Sequence, residues 1–183
     1  MTTAFYLLLI AGTLGAFDVV WFHIHRTRLA HRPECQREVL WHTVRHAVYA
    51  TQFLWVANLR FHGAALLFVA ALYVLDVFIA WADVLEETAS RKAQGGLPRG
   101  EYFMHIVLSL LIGAYLLQVA QTVWPDRLLP TAIVVDPPPV PFLLRAMMTF
   151  MGVTALGVFA HDLRAWLLFR ARPPAAPAAG AEA

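Results

Sequence analysis

The chain is short of cysteine and of charge, and each shortage excludes a class of protein. A single cysteine, Cys35, cannot form an intrachain disulfide, and without a cysteine pair there is no basis for a thiolate zinc or iron–sulfur site. Charged residues fill only 14% of the 183 positions against 60% for hydrophobic ones, a balance too apolar for a soluble domain and typical of an integral membrane protein. The opening 22 residues have neither the basic start nor the small-residue cleavage site of a secretory leader, so the expectation there is a first spanning helix. The formal charge of +2 comes from arginines gathered at helix ends rather than along one face, which argues for membrane topology and against nucleic acid. No internal repeat is evident.

Five apolar runs, at residues 4–22, 39–59, 64–85, 103–124 and 143–169, are long enough to cross an apolar layer of roughly 30 Å, which takes about 20 helical residues. The reading is therefore all-α: one integral membrane bundle of five transmembrane helices over residues 1–171, followed by a Pro/Ala-rich tail at 172–183 expected to be disordered. Arg26, Arg28, Arg32 and Arg37 follow the first run, Arg91, Lys92 and Arg99 follow the third, and Arg164, Arg170 and Arg172 close the fifth. The other side holds only Arg60, Arg127 and Arg145, so the positive-inside rule puts the N-terminus outside and the C-terminus in the cytoplasm. The expected location is a bacterial inner membrane. The turn at 58–63 is short enough to make the second and third helices antiparallel neighbours, with His62 solvated in it. Pro137-Pro138-Pro139 favours an extended connection, and residues 128–135 are expected to lie on the membrane as a lid.

The residues that plain membrane anchoring does not need start at Glu38-Val-Leu-Trp-His42-Thr-Val-Arg45-His46-Ala-Val-Tyr49. At four-residue spacing Glu38, His42 and His46 are read as one helical face, with Tyr49 in the same arc. Asp18 and His25, seven apart, share a face of the first helix, with His23 turned away to the interface. Asp76, Asp83 and Glu87 form a stripe on the third helix, Glu101 and His105 lie four apart on the fourth, and the fifth adds His161 and Asp162. All five helices thus bring carboxylate or imidazole to the cytoplasmic half, while the outer half carries almost none. Against a functional role, Glu86, Glu87 and Glu101 can be read as ordinary interfacial partners for Arg91, Lys92 and Arg99, and Arg45 as the counter-charge of Asp76 or Asp83.

Ionisable groups inside a membrane are costly and usually mark function. Imidazole with carboxylate suits iron, manganese or zinc. Soluble four-helix bundles hold dinuclear iron in such a setting, with a Glu-x-x-His step of three where this chain has four. Clustered histidine boxes are missing, since His42-x-x-x-His46 has no His-x-x-His-His companion. The expected metal ligands are Asp18, His42, His46, Asp76, Asp83, His105 and His161, with Arg45, Tyr49 and Glu87 as catalytic groups. The expected function is a membrane metalloenzyme with mono- or dinuclear non-haem iron, hydroxylating or desaturating a lipid-like substrate with electrons from a donor protein. Three alternatives use the same residues: a b-type haem subunit with His46 and His105 or His161 as axial ligands, a zinc-dependent lipid hydrolase, and a proton-coupled transporter or structural network.

Overall fold

The computed structural model describes residues 1–136 and 139–171; the tail expected at 172–183, and Pro137 and Pro138 of the proline run, lie outside the described residues. About 85% of the described residues are helical. Helix α1 (Thr2–Asp18) continues as a π-helical segment, Val19–Arg26, and is followed by α2 (Gln36–Asn58), α3 (Leu66–Ser90), α4 (Arg99–Val123) and α5 (Phe142–Arg170). Five helices stand where five apolar runs were read.

Four of them are long and apolar enough to cross a membrane: α1 with its π-helical extension, and the segments built on α3, α4 and α5. The fifth, α2, is a correction to the expectation of five apolar spans. It is 23 residues long, but Glu38, His42, Arg45 and His46 dilute its apolar character. The reason lies in its position. It makes the most extensive helix contact of the molecule with α5 and another with α3, so its side chains meet protein on several sides. In a membrane such a helix has little lipid-facing surface to keep apolar.

Helix α1 packs on α4, α2 packs on α3, and α5 packs on α2 and α1, its Leu144 and Met148 joining the apolar core. Successive helices run antiparallel, so one end of the bundle collects the C-terminal parts of α1, α3 and α5 and the N-terminal parts of α2 and α4. The other end is a hydrocarbon and aromatic core built on Phe5, Leu8, Phe53, Trp55, Leu72 and Val119. Met148 of α5 is wholly buried in that core. Close approach of α2 and α5 depends on Gly152, where an added Cβ would lie 2.7 Å from Leu54 Cγ.

At the apolar end the short α2–α3 turn and the α4–α5 connection are tied together. Strand β1 (Arg60–His62) pairs antiparallel with β2 (Ala132–Val134), in register Phe61 opposite Ile133. Main-chain hydrogen bonds and the ion pairs of Arg60 with Asp126 (3.6 Å) and Asp136 (3.0 Å) tie the segment read as a lid to the short turn. His62 is accordingly half-buried in the ribbon rather than fully solvated. Gly63 makes the exit from β1 possible, with φ +56° and Leu129 O 2.7 Å from the place a Cβ would occupy. Gly63→Ala therefore meets both backbone strain and a carbonyl that cannot move aside. It is expected to destabilise the fold by about 1 kcal/mol or more, read as a lower thermal midpoint in detergent; an unchanged midpoint would contradict the turn geometry.

Candidate functional site

An α-helix turns about 100° per residue, so four-residue steps drift by about 40° each and a straight interior face alternates steps of four and three. On α2 that face is Glu38, His42, Arg45, Tyr49 and Gln52. His46, two four-residue steps from Glu38, has left it, which corrects the reading of Glu38, His42 and His46 as one face. On α3 the buried stripe runs through Asp76, Ile79, Asp83, Glu87 and Ser90. Helix α4 contributes Glu101 from its first turn and His105 one turn on.

Helix α1 reaches the cluster through a change of winding. Residues Val19–Arg26 form a π-helix, in which hydrogen bonds run from i to i+5 and residues five apart fall on one side. Asp18 is thereby brought beside His23, 3.4 Å from carboxylate to Nε2. The expected pairing of Asp18 with His25 is corrected: His25 lies on the outer surface, stacked on Trp21 at 5.3 Å between ring centroids.

The assembled cluster is dense. His23 Nε2 lies 3.2 Å from Glu101 Oε1. His105 faces Asp18 through Nε2 at 3.4 Å and Glu87 through Nδ1 at 3.3 Å. His42 Nε2 lies 3.4 Å from Asp83 Oδ1 and 3.7 Å from Glu38 Oε1. The rings of His23 and His42 meet edge to face, 4.3 Å between centroids. In three overlapping groups, Asp18/His23/His105, His23/Glu38/His42 and His42/Asp83/Glu87, one ligand atom of each member lies within 4.8 Å of the others.

Two guanidiniums hold this set in place. Arg91 is 0% exposed, and its Nη2 lies 2.8 Å from Glu38 Oε1 and 2.6 Å from Glu101 Oε1. The Ser90 hydroxyl donates to the other oxygen of Glu38. Arg45 lies between Asp76 (3.8 Å) and Asp83 (3.6 Å), beside the Tyr49 ring, and Gln52 donates to Asp76 at 3.1 Å. Arg45 is thus the counter-charge of both aspartates at once.

Of the residues singled out in the sequence, Asp18, His42, Asp83, Glu87 and His105 come together. Asp76 and Tyr49 sit one layer further along, reached through Arg45. His46 and His161 do not join: His46 pairs with Asp162 at 3.2 Å, and the His161 side chain is 82% exposed, 3.0 Å from the same Asp162. His46 and Asp162 meet where α2 packs on α5, away from the cluster. His23, Glu101 and Arg91 were read as interfacial and are instead buried parts of the cluster. Glu86 does behave as an interfacial partner, 3.4 Å from Arg37.

Comparison with known proteins gives no match: no family model, no curated protein and no solved structure matches the chain.

Cys35 is buried beside the cluster, its thiol 3.7 Å from the Ser90 carbonyl and 3.6 Å from Gln94 Nε2. Burial pushes its pKa above the ordinary thiol value, with the Glu38 charge acting the same way. The neutral thiol is therefore the form the fold favours, and stability contributed at this site falls as pH rises through the ordinary thiol range. The thermal midpoint should drop between about pH 8 and 10, and Cys35→Ala should flatten that slope; equal slopes would contradict it. Arg91→Met leaves Glu38 and Glu101 buried without their cation. Breaking a buried pair from one side costs about 3–5 kcal/mol, so this variant should lose most of its folded yield, whereas His161→Ala should match the wild type.

Proposed function

We propose that the chain is an integral membrane metalloprotein, N-terminus outside and C-terminus cytoplasmic, whose His/carboxylate cluster holds two divalent cations. The observation that carries this reading is charge. Among the described residues, six buried carboxylates, Asp18, Glu38, Asp76, Asp83, Glu87 and Glu101, face two guanidiniums, Arg45 and Arg91, so with neutral imidazoles four negative charges are left over. Uncompensated charge in a low-dielectric interior costs several kcal/mol per ion. Two divalent cations balance it.

The donor geometry supports the same reading. Ligands about 2.0–2.2 Å from a metal lie about 2.9–3.5 Å from each other in octahedral or tetrahedral arrangements. The carboxylate–imidazole separations of 3.2–3.4 Å fall in that range. Among the described residues, Asp18 Oδ1, His23 Nε2, His42 Nε2, Asp83 Oδ1, Glu87 Oε1 and Glu101 Oε2 are buried without a hydrogen-bond partner. Asp18, His23, His105 and Glu101 would hold one cation, and His42, Asp83, Glu87 and Glu38 the other. Arg91 fixes Glu38 and Glu101, and Arg45 orients Asp83 from outside the ligand set, roles that commonly tune such sites.

The donor set, all nitrogen and oxygen, suits iron and an oxidation at the membrane. Iron held there would activate dioxygen, and hydroxylation of a C–H bond would place one oxygen atom in the substrate and release the other as water, consuming two protons from water and two electrons from a donor protein. The chain supplies the ligands and the apolar surroundings. Zinc in the same ligands would activate water instead. A haem is less well supported, since both ring nitrogens of His105 already face carboxylates and His46 faces Asp162.

Metal content of the protein purified in mild detergent, measured by plasma mass spectrometry with the visible spectrum, tests the proposal. The wild type should carry about two iron atoms per chain and show no Soret band. His23→Ala and His42→Ala, eluting as folded protein, should lose at least half of the metal, and His46→Ala and His161→Ala should keep it. Full occupancy in His23→Ala would sink the ligand assignment. A folded wild type that takes up no metal on reconstitution would leave cationic histidines as the charge balance and a proton relay as the function.

A further inference from the structure

Helices α3 and α4 follow each other in sequence yet stand apart, without the close packing that joins α2 to α3 or α1 to α4. Long side chains bridge the gap at three heights, the one at the polar extreme being Arg91, at the end of α3, with Glu101 of α4 at 2.6 Å. Nearer the apolar end the hydroxyls of Tyr73 and Tyr115 are 2.9 Å apart. Nearer the polar end Glu87 meets His105 at 3.3 Å.

The gap contains a cleft of about 340 Å³. Its sides are Val84, Tyr102, Ile106 and Leu110, and the polar groups that reach it are Glu87, His105 and Ser109. The Ser109 hydroxyl is turned back to the His105 carbonyl at 2.7 Å, so it offers little to a polar ligand. The side residues belong to the outer surface of the bundle, Leu110 being 70% exposed. In a chain inserted in a bilayer that surface faces lipid, so the cleft opens sideways to hydrocarbon and ends on two residues of the cluster.

We propose that this cleft is a lateral entrance that takes one hydrocarbon chain of a bilayer lipid and lays it against the Glu87–His105 edge of the cluster. The reactive use of that chain rests on the metal reading above; the binding does not. A volume near the lower end for small-molecule sites admits a segment of one chain rather than a whole lipid. His105 is six residues from Arg99, about 9 Å along the α4 axis at 1.5 Å per residue. The edge therefore meets carbons within a chain rather than a headgroup at the basic end of the helix. This places the substrate class as acyl chains attacked at an internal carbon and disfavours ester hydrolysis at the interface.

The test is photolabelling of the full chain in lipid nanodiscs with a long-chain fatty acid carrying a mid-chain diazirine, followed by peptide mapping. Adducts should concentrate at Val84 and on residues 102–110, at least fivefold above other outward-facing positions such as Leu67, Val74 and Val153. Ile106→Trp, which fills the cleft without touching the cluster, should cut those adducts at least fivefold with metal content unchanged. Val84→Trp should do the same from the opposite wall. Adducts spread evenly over the outer surface, or unchanged in folded Ile106→Trp and Val84→Trp, would overturn the entrance. Adducts concentrated in the cleft of a metal-free protein would keep the entrance and sink the metal reading, and metal with even labelling would do the reverse.

Discussion

Arg91 is the contact on which the polar half depends. Its guanidinium comes from the end of α3, touches Glu38 of α2 and Glu101 of α4, and is fully buried. Glu101 in turn faces His23 of the π-helical segment. Four helices are thus joined through one cation, at a place where water cannot substitute for a lost partner. Both glutamates lie in the first turn of their helices, where the helix dipole also favours negative charge. The cluster is fixed by charge pairing as much as by shape.

The same constraint orders the whole bundle. Apolar side chains on α1, α3, α4 and α5 turn outward, as in Leu67, Val74, Leu110 and Phe150, while the least apolar helix, α2, takes the interior. Along the axis the bundle divides into a hydrocarbon core tied off by the β ribbon and an ionisable core tied off by Arg91. Packing at one end and ion pairing at the other hold the buried charged groups in fixed positions. The α3–α4 seam, held by long side chains rather than close backbone packing, falls beside that ionisable core.

Much of this was legible in the sequence. The five helices and the gathering of carboxylates and imidazoles at one end follow from hydropathy and the positions of Asp18, His42, Asp83 and His105. What sequence spacing could not show was winding and rank. Asp18 and His23 meet because the end of α1 is π-helical, and nothing in residues 19–26 announces a change from 3.6 residues per turn. His46 was grouped with His42 on a four-residue step, although the alternating step through Arg45 and Tyr49 was the signal for the interior face. His161 was included because its depth is right, but depth does not tell which way a side chain turns, and this one is exposed. Arg91 and Glu101 looked like surface partners because their burial is a tertiary fact: Glu38 arrives from another helix, more than fifty positions away.

The central claim is that two cations, bound by nitrogen and oxygen alone, balance the buried carboxylates. X-ray absorption at the iron edge of the purified protein tests it most directly. The account predicts a first shell of nitrogen and oxygen at about 2.0–2.2 Å and a second metal at about 3.5–4 Å. A sulfur shell at about 2.3 Å, or a lone iron with no metal neighbour, would contradict it.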